Sequence, residues 1–283
     1  MAVGINFDLG HWDQNWGTVE WLSTLGAEWV RLVLKPDRDD SRIFDYIHAH
    51  EMKILGVIAR ESLRGDTREG WRWAARHYSA RYGHILDALQ VGNEPDLVSP
   101  SSWTKSASDC SHMCAIFKDA FSIPIIGPGL AYGQPAWLDN FNLDNVDAIA
   151  FHPYGKWPLD VPVKGDWGYG PLSDHLSGYG YYHEHLWVTE YGAKDIELGT
   201  RHSQYIIDMT KRLLAETDNA FLFCWSDKMD KGFGLHDEQD NRKEPLYTNY
   251  AEAIKGSEQG GINGTCSCNC KFPGSGECCL RAT

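Results

Sequence analysis

A single (β/α)8 barrel is the fold class this sequence predicts, and three observations predict it. Short apolar runs alternate with helical stretches from end to end, eight such units can be counted, and 283 residues sit close to the roughly 250 that one barrel needs. In chain order the strands are expected at Val3–Phe7, Trp29–Leu34, Lys53–Ala59, Ala88–Val91, Ile123–Gly127, Ala148–His152, His185–Thr189 and Ala220–Trp225. Continuous apolar runs of this length suit strands covered on both faces, as in a parallel sheet. Helices are expected at Thr18–Leu25, Ser41–His50, Glu69–Tyr82, Ser102–Phe121 and His202–Thr217, the last with an apolar face and Lys and Arg near its end. Tyr247–Ile254 supplies the final helix. No Gly-x-Gly-x-x-Gly follows the first strand, which removes the main support for an open dinucleotide-binding sheet.

Two segments leave this rhythm. Lys156–Tyr182 is rich in Gly, Trp, Tyr, Pro and Asp, is too long for an ordinary connection, and follows a strand end, so it is expected to be a substrate-binding loop. From Gly256 the chain turns to Gly, Ser, Asn and Cys with little periodicity. Residues 1–255 are therefore assigned to the catalytic barrel and 256–283 to a cysteine-rich tail that is not an independent domain.

Composition narrows the function. Hydrophobic residues at 42% and charged ones at 23% are ordinary for a globular protein, and no apolar run reaches the roughly 18 residues of a membrane helix. A net charge of −13 without clustered Lys and Arg argues against a nucleic-acid partner and toward a neutral substrate. Twelve Trp residues exceed what a core of this size needs, and such rings also stack on sugars. The first residues hold no basic stretch leading into an apolar one, so no export signal is expected in the chain as given. Cys266, Cys268, Cys270, Cys278 and Cys279 crowd the tail, a spacing open to disulfides, to a thiolate metal site or to free thiols. Disulfides would imply an oxidising destination, outside the cell or reached on lysis. On the Ser102–Phe121 helix, Asp109, Cys110, His112 and Cys114 do not share one face, which favours a plain surface helix over a metal site.

The chemistry concentrates in two segments. Leu89-Gln90-Val91-Gly92-Asn93-Glu94-Pro95 and Leu186-Trp187-Val188-Thr189-Glu190-Tyr191-Gly192 each end a strand on a glutamate, at the fourth and seventh strands. Either glutamate alone is an ordinary strand terminus. Together they supply the carboxylate pair that cleavage of a glycosidic bond requires.

In this pairing the chain resembles the clan-A (4/7 superfamily) retaining glycoside hydrolases over roughly residues 3–255. The resemblance implies Glu94 as acid/base and Glu190 as nucleophile, with Asn93 binding the sugar 2-hydroxyl. It implies that Arg31 hydrogen-bonds the nucleophile, that His152 and Tyr154 line the catalytic subsite, and that Trp225 floors the −1 subsite. Asn6 or Asp8 contributes from strand one. At the third strand end, Ala59-Arg60-Glu61-Ser62 matches no family pattern, while Glu61, Asp227 and His236 either line the cleft or decorate it.

The implied reaction is double displacement with retention: Glu190 attacks the anomeric carbon while Glu94 protonates the leaving oxygen, then serves as base toward water. Glu94 must hold a proton in the free enzyme, which the nearby negative charge of Glu190 favours. No metal or organic cofactor is required. A monomeric, endo-acting β-glycosidase on a neutral polysaccharide or oligosaccharide is expected, and a loop folded over the pocket would favour exo action instead. Other readings are a phage or cell-wall lysin using the same glutamates, a non-catalytic carbohydrate-binding barrel, and a scaffold assembled through the cysteine tail. Intact Glu94 and Glu190 count against the binding-only barrel.

Overall fold

The computed structural model describes residues 2–7, 16–98, 103–131, 135–154 and 172–259. Eight parallel strands follow one another around a closed barrel: β1 (Ala2–Asn6), β2 (Trp29–Val33), β3 (Lys53–Ile58), β4 (Ala88–Val91), β5 (Ile125–Leu130), β6 (Ala148–Phe151), β7 (Leu186–Tyr191) and β8 (Asn219–Leu222). Closure comes from β1 pairing with β8, Val3 beside Ala220 and Ile5 beside Leu222. Around the barrel lie α1 (Gly17–Leu25), α2 (Ser41–Ala49), α3 (Arg68–Tyr82), α4 (Ala107–Ala120), α5 (Pro135–Leu138), α6 (Leu172–Tyr182), α7 (Asp195–Leu198), α8 (His202–Glu216) and α9 (Leu246–Gln259). Among the described residues no helix is long and apolar enough to cross a membrane.

Alternation along each strand divides the core in two. Side chains turned outward meet the helices: Val19, Leu22 and Leu25 of α1 recur on one helical face and are buried, as are Tyr205, Ile206, Met209 and Leu213 of α8. Turned inward, Trp29, Leu55, Ala88, Ile126, Ala148, Ala150, Trp187 and Phe221 form a separate buried cluster. Trp29 and Trp187 meet edge to face, with centroids 5.3 Å apart. The large rings need a gap opposite, and Gly4 provides it, since a Cβ there would fall 2.1 Å from the Phe221 ring.

Several boundaries differ from expectation for local reasons. The α4 helix starts at Ala107, because the Ser106 hydroxyl accepts the Asp109 backbone N–H and caps it there. The fifth strand runs from Ile125 to Leu130, starting two residues later than expected and continuing past Gly127 through Pro128 and Gly129. The expected loop Lys156–Tyr182 ends in a helix, with Leu172, Leu176 and Tyr179 buried at helical spacing and Gly178 and Gly180 obscuring the period. Its remainder lies outside the described residues. The last strand ends at Leu222, three residues before Trp225. Helix α9 continues to Gln259, four residues into the stretch assigned to the tail. The tail cysteines lie outside the described residues. Cys110 and Cys114 are free and buried while His112 on the same helix is exposed, so these groups do not converge.

Candidate active site

Above the apolar filling of the barrel, at the carboxyl ends of its strands, the inward positions become polar. Asn6 of β1, Arg31 of β2, Gln90 of β4 and Thr189 and Glu190 of β7 are all buried there, with His152 just past β6. Arg31 organises them. Its Nε donates to Gln90 Oε1 at 2.9 Å, its Nη1 to Glu190 Oε1 at 2.7 Å and to Asn6 Oδ1, and its Nη2 to Asn93 Oδ1 at 2.6 Å. A guanidinium offers five donors in a fixed plane, so these bonds lock the mutual positions of β1, β2, β4 and β7. Asn6 in turn donates from Nδ2 to the carbonyls of Thr189 at 3.0 Å and Leu222 at 3.3 Å.

Consecutive residues of a regular strand point to opposite faces, yet Thr189 and Glu190 both reach the barrel mouth. The ladder between β7 and β8 shifts register between Val188 and Tyr191. That irregularity carries Glu190 inward while Tyr191 turns outward to meet Thr210 and Tyr250. On β4 the backbone does comparable work. Gly92 has φ +102°, where a Cβ would come 2.9 Å from that of Pro128, and Glu94 itself has φ +49°. A non-glycine residue in the left-handed region is uncommon. Glu94 is held there by its backbone N–H donating to the Gly129 carbonyl at 2.7 Å.

The two glutamates meet through His152. Its Nδ1 lies 2.9 Å from Glu94 Oε1 and 3.7 Å from Glu190 Oε2, and its Nε2 lies 3.0 Å from the Thr189 hydroxyl. With the proton on Nδ1, the imidazole donates to Glu94 and accepts the Thr189 O–H, satisfying both nitrogens. One oxygen of each carboxylate and a His152 nitrogen all lie within 4.8 Å of one another. The same three residues are also close enough to share a metal ion. Tyr154 donates its hydroxyl to Glu190 Oε2 at 2.8 Å.

Electrostatics separates the groups. Burial by itself would raise the pKa of Glu190, but the imidazole of His152 beside it, the Arg31 ion pair and the Tyr154 and Arg31 hydrogen bonds outweigh it, leaving the carboxyl below its ordinary value. Tyr154 moves the other way, raised by burial first and then by the Glu190 charge, so its phenol keeps the proton it donates.

The pair opens into a cleft of about 620 Å³. Glu94, Glu190, Asn93, Arg31 and Asn6 line it, together with Glu61, which the sequence singled out, and Arg60, Trp103, Phe223 and Met229, which it did not. Trp225 is not part of this lining. It is 4% exposed, and its ring centroid lies 4.1 Å from that of His236 and 6.4 Å from that of Trp21 on α1. The aromatic that reaches the cleft from the β8 end is Phe223, two residues earlier, edge-on to Tyr154 and to Phe233. The two share a parity along the chain, so alternation did not separate them. Asp227 is engaged by Lys243, and His236 stacks on Trp21, so both serve the rim's structure. Asp8 lies outside the described residues. Gln90 carried a readable signal, a polar residue inside an otherwise apolar buried strand.

Fold and site together define a class: a (β/α)8 barrel with a carboxylate pair at the ends of strands four and seven is the architecture of the clan-A retaining glycoside hydrolases. The chain belongs to the glycosyl hydrolase catalytic core family, whose model matches residues 70–231 and so spans both glutamates. No curated protein matches the sequence. Among solved structures the barrel is similar to a family 39 glycoside hydrolase from Bacteroides cellulosilyticus WH2, with a TM-score of 0.70 at 15% identity, covering 89% of this chain and 63% of that one. It is similar to the catalytic domain of the major endoglucanase from Xanthomonas campestris pv. campestris, with a TM-score of 0.64 at 16% identity, covering 89% and 94%. A monomeric β-xylosidase from Caulobacter crescentus CB15 follows at 0.63 and 18%, covering 89% and 67%. This chain thus spans less than two thirds of the first of these proteins.

Proposed function

We propose that the protein is a retaining β-glycosidase that cleaves a neutral polysaccharide or oligosaccharide, with Glu190 as nucleophile and Glu94 as acid/base. The observation that carries this reading is the spacing of the two carboxylates, with oxygens within 4.8 Å of each other. Retaining enzymes hold their carboxyl groups about 5 Å apart, whereas inverting ones need roughly 6.5–9.5 Å to admit a water between them. The division of roles follows from the partners. Glu190, held ionised by Arg31 and Tyr154, is suited to attack, while Glu94 is the more exposed of the two, with a side chain 25% exposed against 10%.

In the first step a Glu190 oxygen bonds to the anomeric carbon, the glycosidic C–O bond breaks, and the leaving oxygen takes the proton of Glu94. In the second, water attacks the anomeric carbon, gives a proton to Glu94 and displaces Glu190. Asn93, anchored by Arg31, keeps its amide N–H groups for the sugar 2-hydroxyl, and Phe223 offers an apolar surface to the sugar in the cleaved position. The protein acts as a monomer on internal bonds of a chain, and neither metal nor organic cofactor takes part.

Hydrolysis of aryl β-glycosides and soluble polysaccharides by the unaltered protein and by Glu190→Gln and Glu94→Gln tests the assignment. Both variants are expected to lose at least about 10³-fold in kcat. Undiminished hydrolysis by Glu190→Gln removes the nucleophile, and an inverted first-formed anomer, read by proton NMR, removes the retaining mechanism.

A further inference from the structure

The wall of the cleft between β3 and β4 contains a device that the cleavage chemistry does not use. Trp103, on the loop between β4 and α4, lines the cleft, yet its indole N–H is turned away and donates to Asp66 Oδ2 at 2.9 Å. Asp66, on the loop between β3 and α3, also accepts the indole N–H of Trp71 at 3.2 Å and pairs with the Lys105 ammonium. That ammonium lies 5.6 Å from the Trp71 ring centroid and 5.7 Å from that of Trp103. The backbone N–H of Lys105 donates to the carbonyl of Pro95, the residue after Glu94, at 2.8 Å. One carboxylate and one ammonium thus hold the ring that faces the cleft, and the Lys105 backbone ties its loop to the segment carrying Glu94.

We propose that Trp103 is the apolar wall of a sugar subsite beside the cleaved position, with Asp66 and Lys105 as the residues that position it. Two observations support this. With its N–H committed to Asp66, what the indole offers the cleft is carbon surface, which matches the C–H face of a pyranose. A tryptophan kept only for packing needs no charged clamp joining two loops of the active face, and only 9% of its surface remains exposed, all that an edge on a cleft wall requires. The ligand is a pyranose unit of the same glycan chain, adjacent to the one whose bond is broken. The inference rests on the glycosidase reading above.

The test compares β-glycosyl fluorides, whose single-atom leaving group does not reach a neighbouring subsite, with soluble β-glucan, β-xylan and β-mannan. Trp103→Ala is expected to raise KM on the polysaccharide that the unaltered protein cleaves by about tenfold, a clearly larger loss than it causes in kcat/KM on the fluoride. Trp103→Phe keeps an aromatic ring and is expected to recover most of that loss. Asp66→Asn is expected to raise the polysaccharide KM about threefold, and to add nothing further in a Trp103→Ala background, because it acts through that ring. An unchanged polysaccharide KM in Trp103→Ala overturns the subsite, as does an equal loss on both substrate types. Additive effects of the two substitutions overturn the positioning role of Asp66. Inactivity of the unaltered protein on every probe overturns instead the glycosidase reading.

Discussion

Arg31 Nη1 and Glu190 Oε1 stand 2.7 Å apart in a part of the barrel where the two residues are 4% and 8% exposed. A charge pair so far from solvent persists because each partner is further satisfied: the guanidinium by Asn6, Gln90 and Asn93, the carboxylate by Tyr154. Removing one partner of such a pair leaves an uncompensated buried charge, at a cost of roughly 3–5 kcal/mol. Arg31→Met is therefore expected to lower kcat by about 10²-fold or more and to lower the Tm. Arg31→Lys, which keeps the charge but not the fork, is expected to rescue little of either.

The same pair sets an acid limit. Glu190 titrates below its ordinary value of 4.5 in the fold, so the stability that the pair contributes is fully present above about pH 4.5 and is lost as pH falls through the lower folded value. Urea unfolding at stepped pH should show this loss in the unaltered protein. In Tyr154→Phe, which removes one hydrogen bond to Glu190, the folded value rises toward the ordinary one, so the loss should be smaller and be complete at higher pH, and the acid limb of the kcat profile should move to higher pH.

Thr189 touches neither carboxylate, yet its hydroxyl is the partner of His152 Nε2 and so determines which nitrogen faces Glu94 with a proton. Thr189→Val, nearly equal in volume, is expected to reduce kcat about tenfold, the equivalent of one hydrogen bond of about 1.4 kcal/mol. Thr189→Ser should restore it. Equal activities of the valine and serine variants would show that the hydroxyl has no part in setting the imidazole.

Gly129 leaves room for the imidazole. A Cβ there would fall 2.3 Å from His152 Nε2 and 2.9 Å from Gln90 Nε2. Gly129→Ala is expected to cost about 1–3 kcal/mol of stability by overpacking and to reduce kcat more than KM. Thermal unfolding with steady-state kinetics reads both effects.

Phe223 and Trp225 should separate cleanly. Trp225→Ala opens a cavity among buried rings and is expected to cost about 3–5 kcal/mol in unfolding free energy. Phe223→Ala, at a half-buried cleft position, should leave the Tm nearly unchanged while raising KM on aryl glycosides. The reverse pattern would return the sugar-facing role to Trp225.

The barrel was legible because its strands are short apolar runs that no other element explains, and the two glutamates because each ends such a run. Arg31 and Tyr154 came from the family resemblance rather than from the pattern, and both meet Glu190. What escaped the sequence depends on details that periodicity does not carry. The inward turn of Glu190 needs a register shift in the β7–β8 ladder, and a strand that alternates perfectly would have aimed it at the helices. Phe223 and Trp225 have the same parity, and the sequence does not show that the regular strand stops at Leu222, before either of them. The helix Leu172–Tyr182 was hidden by its glycines. The Asp66 clamp joins residues from two loops, a proximity set by tertiary packing alone.

The shifted ladder of β7 places Thr189 and Glu190 side by side on the inner wall, so one strand holds Glu190 and, through His152, steadies Glu94, the pair proposed above as nucleophile and acid/base. The distance between the two carboxylates is consequently written into the hydrogen-bonded wall rather than into the rim. Apart from the loop whose Lys105 is tied to Pro95, loops at the mouth can differ in length and composition without altering the spacing of Glu190 and Glu94 below them.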